Sequence, residues 1–264
     1  MSDRFAPDWL ALREDADAAA RSTELLAPLR ARLPAGPLVV RDLGSGTGSM
    51  GRWLAARLPG PQHWILTDRD PELLDRAAAG LPAPATTSTE LRDITRLTAE
   101  DLSGTSLVTG SALLDILTEQ EVAGLAAACL GAGVPALFAL SVVGRVELDP
   151  ADLLDADLAA AFDTHQRRTV DGRRLLGPDA VEAAAAAFAH HGATVHRRPS
   201  PWLLGPDQAA LTAEWLRGWV GAATEQRPEL APDAAAWLDR RLAGGLRVVV
   251  HHEDLLALPG QRPD

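Results

Sequence analysis

The chain has 264 residues, 47% of them apolar, which suffices for one large α/β domain or two small ones. Its formal charge of −11 counts against a partner held mainly through phosphates, because nucleic-acid binders neutralise phosphate with a basic face, so no nucleic-acid partner is expected. A single cysteine, Cys129, excludes an internal disulfide and a cysteine-rich zinc site, and reads as a small buried apolar residue in an alanine-rich helix.

No run of about 18 uninterrupted apolar residues occurs, and Met1-Ser-Asp-Arg-Phe-Ala lacks the basic start and apolar stretch of a secretion signal, so the expectation is a cytoplasmic protein without a membrane span. Residues 9–33 carry Trp9, Leu12, Ala16, Ala19 and Ala20 at helical spacing, then Leu25, Leu26 and Leu29 in a turn-rich stretch, and read as a helical cap. Pro34-Ala-Gly-Pro37 ends that cap and leads into Leu38-Val-Val-Arg-Asp-Leu43, a short apolar run closed by glycines and read as the first, central strand. Strands and helices then alternate: helix 49–58, strand 63–67, helix 71–79, a weak strand 85–88, strand 106–109, helix 119–130 and strand 134–141. Short connections between such elements predict a doubly wound, mostly parallel α/β sheet. A polar and helical stretch at 144–177, a helix at 178–191, a strand at 193–198, a Trp-rich helical segment at 207–242 and a last strand at 246–251 complete the chain.

Asp42-Leu-Gly44-Ser45-Gly46-Thr-Gly48 ends the first strand and feeds a helix. Closely spaced glycines there bring backbone amides and a helix N-terminus against a ligand with no Cβ in the way, which points to a nucleotide-like cofactor. Two fingerprints overlap: Asp42-x-Gly44-x-Gly46-x-Gly48, and the dinucleotide pattern Gly46-x-Gly48-x-x-Gly51. Asp42 favours the first, because a carboxylate beside the turn repels a pyrophosphate and suits the cationic amino end of S-adenosylmethionine. Asp68, about twenty residues beyond the turn, either grips a ribose diol or caps the helix opened by Pro71.

Val40-Arg-Asp-Leu-Gly-Ser-Gly-Thr-Gly48 and Leu66-Thr-Asp-Arg-Asp-Pro-Glu-Leu-Leu74 resemble the first two motifs of the class I S-adenosylmethionine-dependent methyltransferases. The resemblance extends to Leu91-Arg-Asp-Ile94 and to Leu107-Val-Thr-Gly-Ser-Ala-Leu-Leu-Asp115, and covers roughly the first 140 residues. It implies a seven-stranded sheet whose last strand runs antiparallel. It also implies S-adenosyl-L-methionine as cofactor and cofactor contacts at Asp42, Gly44, Ser45, Gly46, Gly48, Asp68, Arg69, Asp93 (near the adenine) and Ser111. The long helical segment before the last strand departs from the family's usual hairpin and suggests a substrate lid. The chain thus reads as a single domain: a helical cap at 1–37, a cofactor-binding core at 38–143, and insertions at 144–177 and 207–243.

On the acceptor side, Ser111-Ala-Leu-Leu stands where the family's amino-methylating Asn-Pro-Pro-Tyr would, which argues against a nucleic-acid base amine. Thr164-His-Gln-Arg-Arg-Thr169 offers His165 as a base and Arg167 and Arg168 as a clamp for an anionic group, or else a solvated, charge-paired surface. Trp202 is a candidate substrate wall, and Trp215, Leu216 and Trp219 form either a buried stripe or an aromatic pocket. Arg13, Asp17 and Arg21, spaced four apart, suit pairing along one helix face, or their helix closes over the cofactor. His251-His252 cannot readily share a metal, because neighbours on a strand point to opposite faces. The function expected is methyl transfer to a small metabolite, anionic if the arginines bind it. The rivals are an NAD(P)-dependent oxidoreductase and a cofactor-binding scaffold without catalysis. Oligomeric state is open, the Trp-bearing segment being a candidate homodimer surface.

Overall fold

A computed structural model describes residues 6–260. The N-terminal residues 1–5, on which the expectation of no secretion signal partly rests, lie outside the described residues. In chain order the elements are α1 (Pro7–Ala20), α2 (Leu26–Arg30), β1 (Leu38–Leu43), α3 (Ser49–Ala55), β2 (Gln62–Asp68), α4 (Pro71–Gly80), β3 (Thr86–Leu91), β4 (Leu107–Ser111), α5 (Glu119–Ala132) and β5 (Ala136–Asp149). They continue with α6 (Asp155–Gln166), the short hairpin β6 (Thr169–Val170) and β7 (Arg173–Arg174), α7 (Ala180–His190), β8 (Thr194–Pro199), β9 (Trp202–Leu204), α8 (Ala209–Gln226), α9 (Ala231–Leu242) and β10 (Arg247–Leu258).

The main sheet has the order β3-β2-β1-β4-β5-β10-β8. Strands β3 to β5 are parallel to their neighbours, and β10 runs antiparallel between β5 and β8. This is the doubly wound, mostly parallel sheet with an antiparallel last strand that the sequence predicts. Local chemistry sets its boundaries. Thr118 and Glu121 form a capping box that opens α5, and Gly133, at φ +72°, closes it. Asp70 accepts from Glu72 N at 3.0 Å and caps α4.

One apolar cluster packs α5 and α7 on one face of the sheet, with Val108, Phe138 and Leu255 from its strands. A second packs α2 and α3 on the other face, around Trp64 and Leu66. The third lies beyond the sheet and differs from expectation. Residues 144–149, read as part of a polar helical stretch, continue β5, and β10 runs to Leu258 instead of ending near His251. The outer half of β10 pairs with Val146–Asp149 and with β9, a strand the sequence reading lacks. Alternation explains the extension: Val248, Val250, Trp202 and Leu204 turn inward onto Leu216, Trp219 and Trp237 from α8 and α9. Trp219 and Trp237 are therefore core residues, at 2% and 0% exposure. Among the described residues no helix is long and apolar enough to cross a membrane.

Candidate functional site

Strand order reverses between β1 and β4, and the carboxyl ends of these strands are where doubly wound sheets place ligands, although the two best-formed cavities of the described residues lie elsewhere, beside β5 and α6 and between α1 and the start of α8. The glycine turn follows the end of β1. Gly44, Gly46 and Gly48 have φ of +60°, +52° and +85°, the left-handed region that only glycine enters without strain. Ser45 N donates to Thr67 O at 3.0 Å and Gly48 N to Ser45 O at 2.8 Å, which fixes the turn between β1 and β2. Asp68 locks it from the side: Oδ2 accepts from Gly46 N at 2.9 Å and Oδ1 from Asp70 N at 3.0 Å. Asp68 is thus not the cap of α4, a role taken by Asp70; it stands half-buried at the end of β2, with Arg69 exposed beside it.

Asp42 is buried at 1% exposure. Its Oδ1 accepts from Thr109 Oγ1 at 2.7 Å, and its Oδ2 has no partner. Burial pushes its pKa up to about 6, against the opposing pull of Thr109 and the Arg21 charge. Ser45 Oγ is a second buried atom without a partner at the same turn.

Of the two readings of Arg13, Asp17 and Arg21, pairing along one helix face holds for the first two residues and not for Arg21. It lies one residue past α1 with φ −54° and ψ 129°, off the helical path, so it leaves the Arg13–Asp17 face. Arg13 and Asp17 do pair, at 2.9 Å. Arg21 instead sends Nη2 to Ser49 Oγ at 3.0 Å and to Ser111 Oγ at 3.1 Å, which ties the start of α3 to the end of β4. Its Nε has no partner. No described carboxylate lies within 4.0 Å of it.

Helix α1 covers the turn: a Cβ built at Gly46 would stand 3.4 Å from Leu10 Cδ1. It is fastened by Glu14, bidentate on Arg52 at 2.6 Å, and by Asp17, which accepts from Trp202 Nε1 at 3.0 Å. Trp202 is buried at 3% and packs 5.3 Å from His252. Burial drives His252 down to about 3, so it is neutral. Its neighbour His251 bonds Glu147 at 2.9 Å, and Asp254 accepts from Leu140 N and Ser22 N at 2.8 and 2.7 Å.

Other expected residues sit elsewhere on the rim or off it. Asp93 is exposed, and its Oδ1 accepts from Thr95 N and Oγ1 at 2.9 and 2.7 Å, capping a short turn after β3. His165 is half-buried on the last turn of α6, and burial with the neighbouring Arg168 charge holds its pKa below the usual value. Arg167 makes a bidentate pair with Asp179 at 2.6 and 2.7 Å, and Arg173 one with Glu121 at 2.8 and 2.7 Å. Arg168 is exposed, and its charge and that of Arg13 act on Asp115, whose pKa burial raises. Ahead of Asp115, Ala112 has φ +49°, strained for a residue with a Cβ, in the loop that follows Ser111.

Buried polar atoms without partners at a glycine cradle fit a ligand carrying both hydrogen-bonding and charged groups. Fold and site together define a doubly wound α/β protein with a glycine cradle and buried charges at its strand-order reversal.

No family model matches the chain. A stretch of 84 residues is 40% identical to biotin biosynthesis bifunctional protein BioCD of Bordetella avium, covering 32% of this chain and 17% of that protein, so the chain spans under a fifth of this relative's length. Similar solved structures include a cyclopropane synthase from Mycobacterium tuberculosis, at 14% identity over 89% of this chain and 83% of that one, with a TM-score of 0.48. Another is phosphoethanolamine N-methyltransferase 2 of Haemonchus contortus in complex with phosphomonomethylethanolamine and S-adenosylhomocysteine, at 12% identity over 98% and 58%, with a TM-score of 0.48.

Proposed function

We propose that this chain is an S-adenosylmethionine-dependent methyltransferase acting on a small metabolite in the cytoplasm. The observation that carries the reading is Asp42: a buried carboxylate with an unpartnered oxygen, ending the central strand beside the glycine turn. Such a group repels a diphosphate and attracts an ammonium, which separates a sulfonium cofactor with an amino-acid end from a dinucleotide. The place of β10 supports it too: the order 3-2-1-4-5 is shared with the dinucleotide sheet, but here the last strand, antiparallel, stands between β5 and β8 where that sheet continues directly to its sixth strand. Gly51, the third glycine of the dinucleotide pattern, has a packing reason of its own: a Cβ there would meet Leu81 Cδ1 at 2.5 Å and Trp64 at 3.5 Å.

In this reading Gly44, Ser45, Gly46 and Gly48 cradle the cofactor, Asp42 takes its ammonium, Asp68 and Arg69 its ribose, Asp93 its adenine side, and Ser111 the rim near the reacting centre. The bound cofactor supplies an electrophilic methyl group. The chain's own work is to orient an acceptor in line with it, exclude water under α1, and hold any released proton. His165, kept neutral by burial, is the proposed proton acceptor, and Trp202 a wall of the acceptor side. Arg168, exposed and without an ion pair among the described residues, favours an anionic acceptor; Arg167, held by Asp179, orients that segment.

Calorimetric titration with S-adenosylmethionine, its demethylated product, NADH and NADPH tests the reading. Micromolar binding of the sulfonium compound is expected, weakened about 10- to 100-fold in Asp68→Ala by loss of charge-assisted hydrogen bonds. Binding of a nicotinamide nucleotide in its place overturns the proposal.

A further inference from the structure

Two buried arginines invite comparison. Arg241, at 8% exposure, is bidentate on Asp155 at 2.7 and 2.9 Å. Arg21, at 3% exposure, has no described carboxylate within ion-pair distance; the Nε of both is buried without a partner, so the difference between them is the counter-charge. Asp17, Asp254 and Asp42 pull on Arg21 only from beyond contact, and burial still outweighs them and lowers its pKa; a charge taken out of water with no counter-charge in contact is costly, and a fold that keeps one has reason to receive an anion there. The position is specific. Nη2 spans Ser49 at the start of α3 and Ser111 at the end of β4, so the guanidinium bridges the helix after the glycine turn and the neighbouring strand. Asp42, at the end of the strand between them, keeps one oxygen without a donor, and the two charges influence each other without touching.

Two unmated and opposite charges held apart at one strand edge suit a zwitterion. We propose that Arg21 binds the α-carboxylate of the cofactor's amino-acid end while Asp42 takes its ammonium, so that the N-terminal cap is part of the cofactor site. This inference rests on the methyl-donor reading. It goes beyond that reading by assigning α1 a ligand contact and the site a selectivity for an intact amino acid.

The test compares S-adenosylmethionine with its decarboxylated form, which keeps the adenosine, sulfonium and ammonium but lacks the carboxylate. Both are titrated into the wild-type chain and into Arg21→Met and Arg21→Lys. Wild type is expected to bind the carboxylated compound about 10- to 100-fold more tightly, the range of a hydrogen bond to a charged group. In Arg21→Met that preference should fall to within about threefold, with affinity for the decarboxylated compound little changed, and Arg21→Lys should keep part of it. General attraction by an acidic chain would favour the more cationic, decarboxylated compound, so the expected preference is not a by-product of net charge.

Equal binding of both compounds by wild type overturns the assignment and leaves the methyl-donor reading standing. Full preference retained in Arg21→Met also overturns it; loss of anionic-acceptor binding in that variant would then give the guanidinium to the acceptor's carboxylate instead. Failure of wild type to bind either compound overturns both readings. If Arg21→Met does not fold, the wild-type comparison and Arg21→Lys still decide.

Discussion

The two sides of the site are finished differently. Buried unpartnered polar atoms occur on both, Ser45 Oγ at the turn and Gln166 Oε1, Thr212 Oγ1, Trp219 Nε1 and Arg241 Nε among the inserted helices, but on the glycine-turn side two charged groups, Asp42 and Arg21, are buried with no opposite charge in contact. On the inserted side, Arg167, Arg173 and Arg241 each hold a carboxylate in two-point contact. A charge already satisfied within the chain has little to offer a ligand, whereas each unpaired buried group costs about 1–3 kcal/mol that a ligand can recover. The arginine-rich segment stands out in the sequence by its composition, yet two of its charges, Arg167 and Arg173, mainly hold scaffold together, as Arg241 of α9 does. The quieter turn side is where recognition energy is stored.

Breaking the turn should have the largest effect. Gly48 has φ +85°, and a Cβ there would lie 3.1 Å from Ala77 Cα and 3.3 Å from its carbonyl oxygen. Gly48→Val is expected to cost about 2–4 kcal/mol of stability and to abolish cofactor binding, read by thermal unfolding and calorimetry. Near-wild-type binding would mean that the cradle does not need this backbone.

Asp42 sharpens the comparison through pH. Its pKa lies at about 6 when folded, against 3.8 as the reference. The folded state therefore binds a proton in that window that the unfolded state releases. The resulting stability is fully present below pH 4 and lost as pH rises through 6, about 3 kcal/mol in all. Ligand affinity should run the other way, because an ammonium needs the ionised carboxylate: it should rise from pH 5 to pH 7. Asp42→Asn should flatten both profiles and lower affinity. An affinity unchanged across that range in wild type would remove Asp42 from the site.

The smallest effect belongs to the paired side. Arg167→Gln breaks an exposed ion pair and should change stability by about 0–1 kcal/mol, leaving cofactor affinity unchanged. A tenfold loss of affinity there would show that the inserted side stores recognition energy as well.

The sequence made the glycine turn and the alternating core legible because both follow local rules: strand alternation, helical spacing, and left-handed positions that demand glycine. Asp42 and Asp68 could be placed at strand ends for the same reason. Arg21 could not, since its role depends on the backbone leaving the helix within one residue and on Ser49 and Ser111, far away in the chain. At Asp93 one residue fits two patterns: its Oδ1 caps Thr95, as Asp-x-Thr predicts, and the same position is the one proposed for the adenine side. The outer halves of β5 and β10 were hidden because each strand needs the other, and only pairing across about a hundred residues makes Val146 and Leu148 read as a strand.

Those two long strands also settle how force passes through the molecule. β5 and β10 start in the parallel sheet and end beneath α8 and α9, bridged to each other along both halves. They act as a beam built into two walls, and the inserted helices ride on it as cargo. Helix α1 is tied to the same frame by an ion pair to Arg52, an indole hydrogen bond from Trp202 and the reach of Arg21, and by Trp9, Ala16, Ala18 and Ala20, which pack against two apolar clusters. A load on the inserted helices is therefore borne by the same two strands that carry the cofactor-side sheet, and the fourteen-residue α1 joins both ends of that frame from outside.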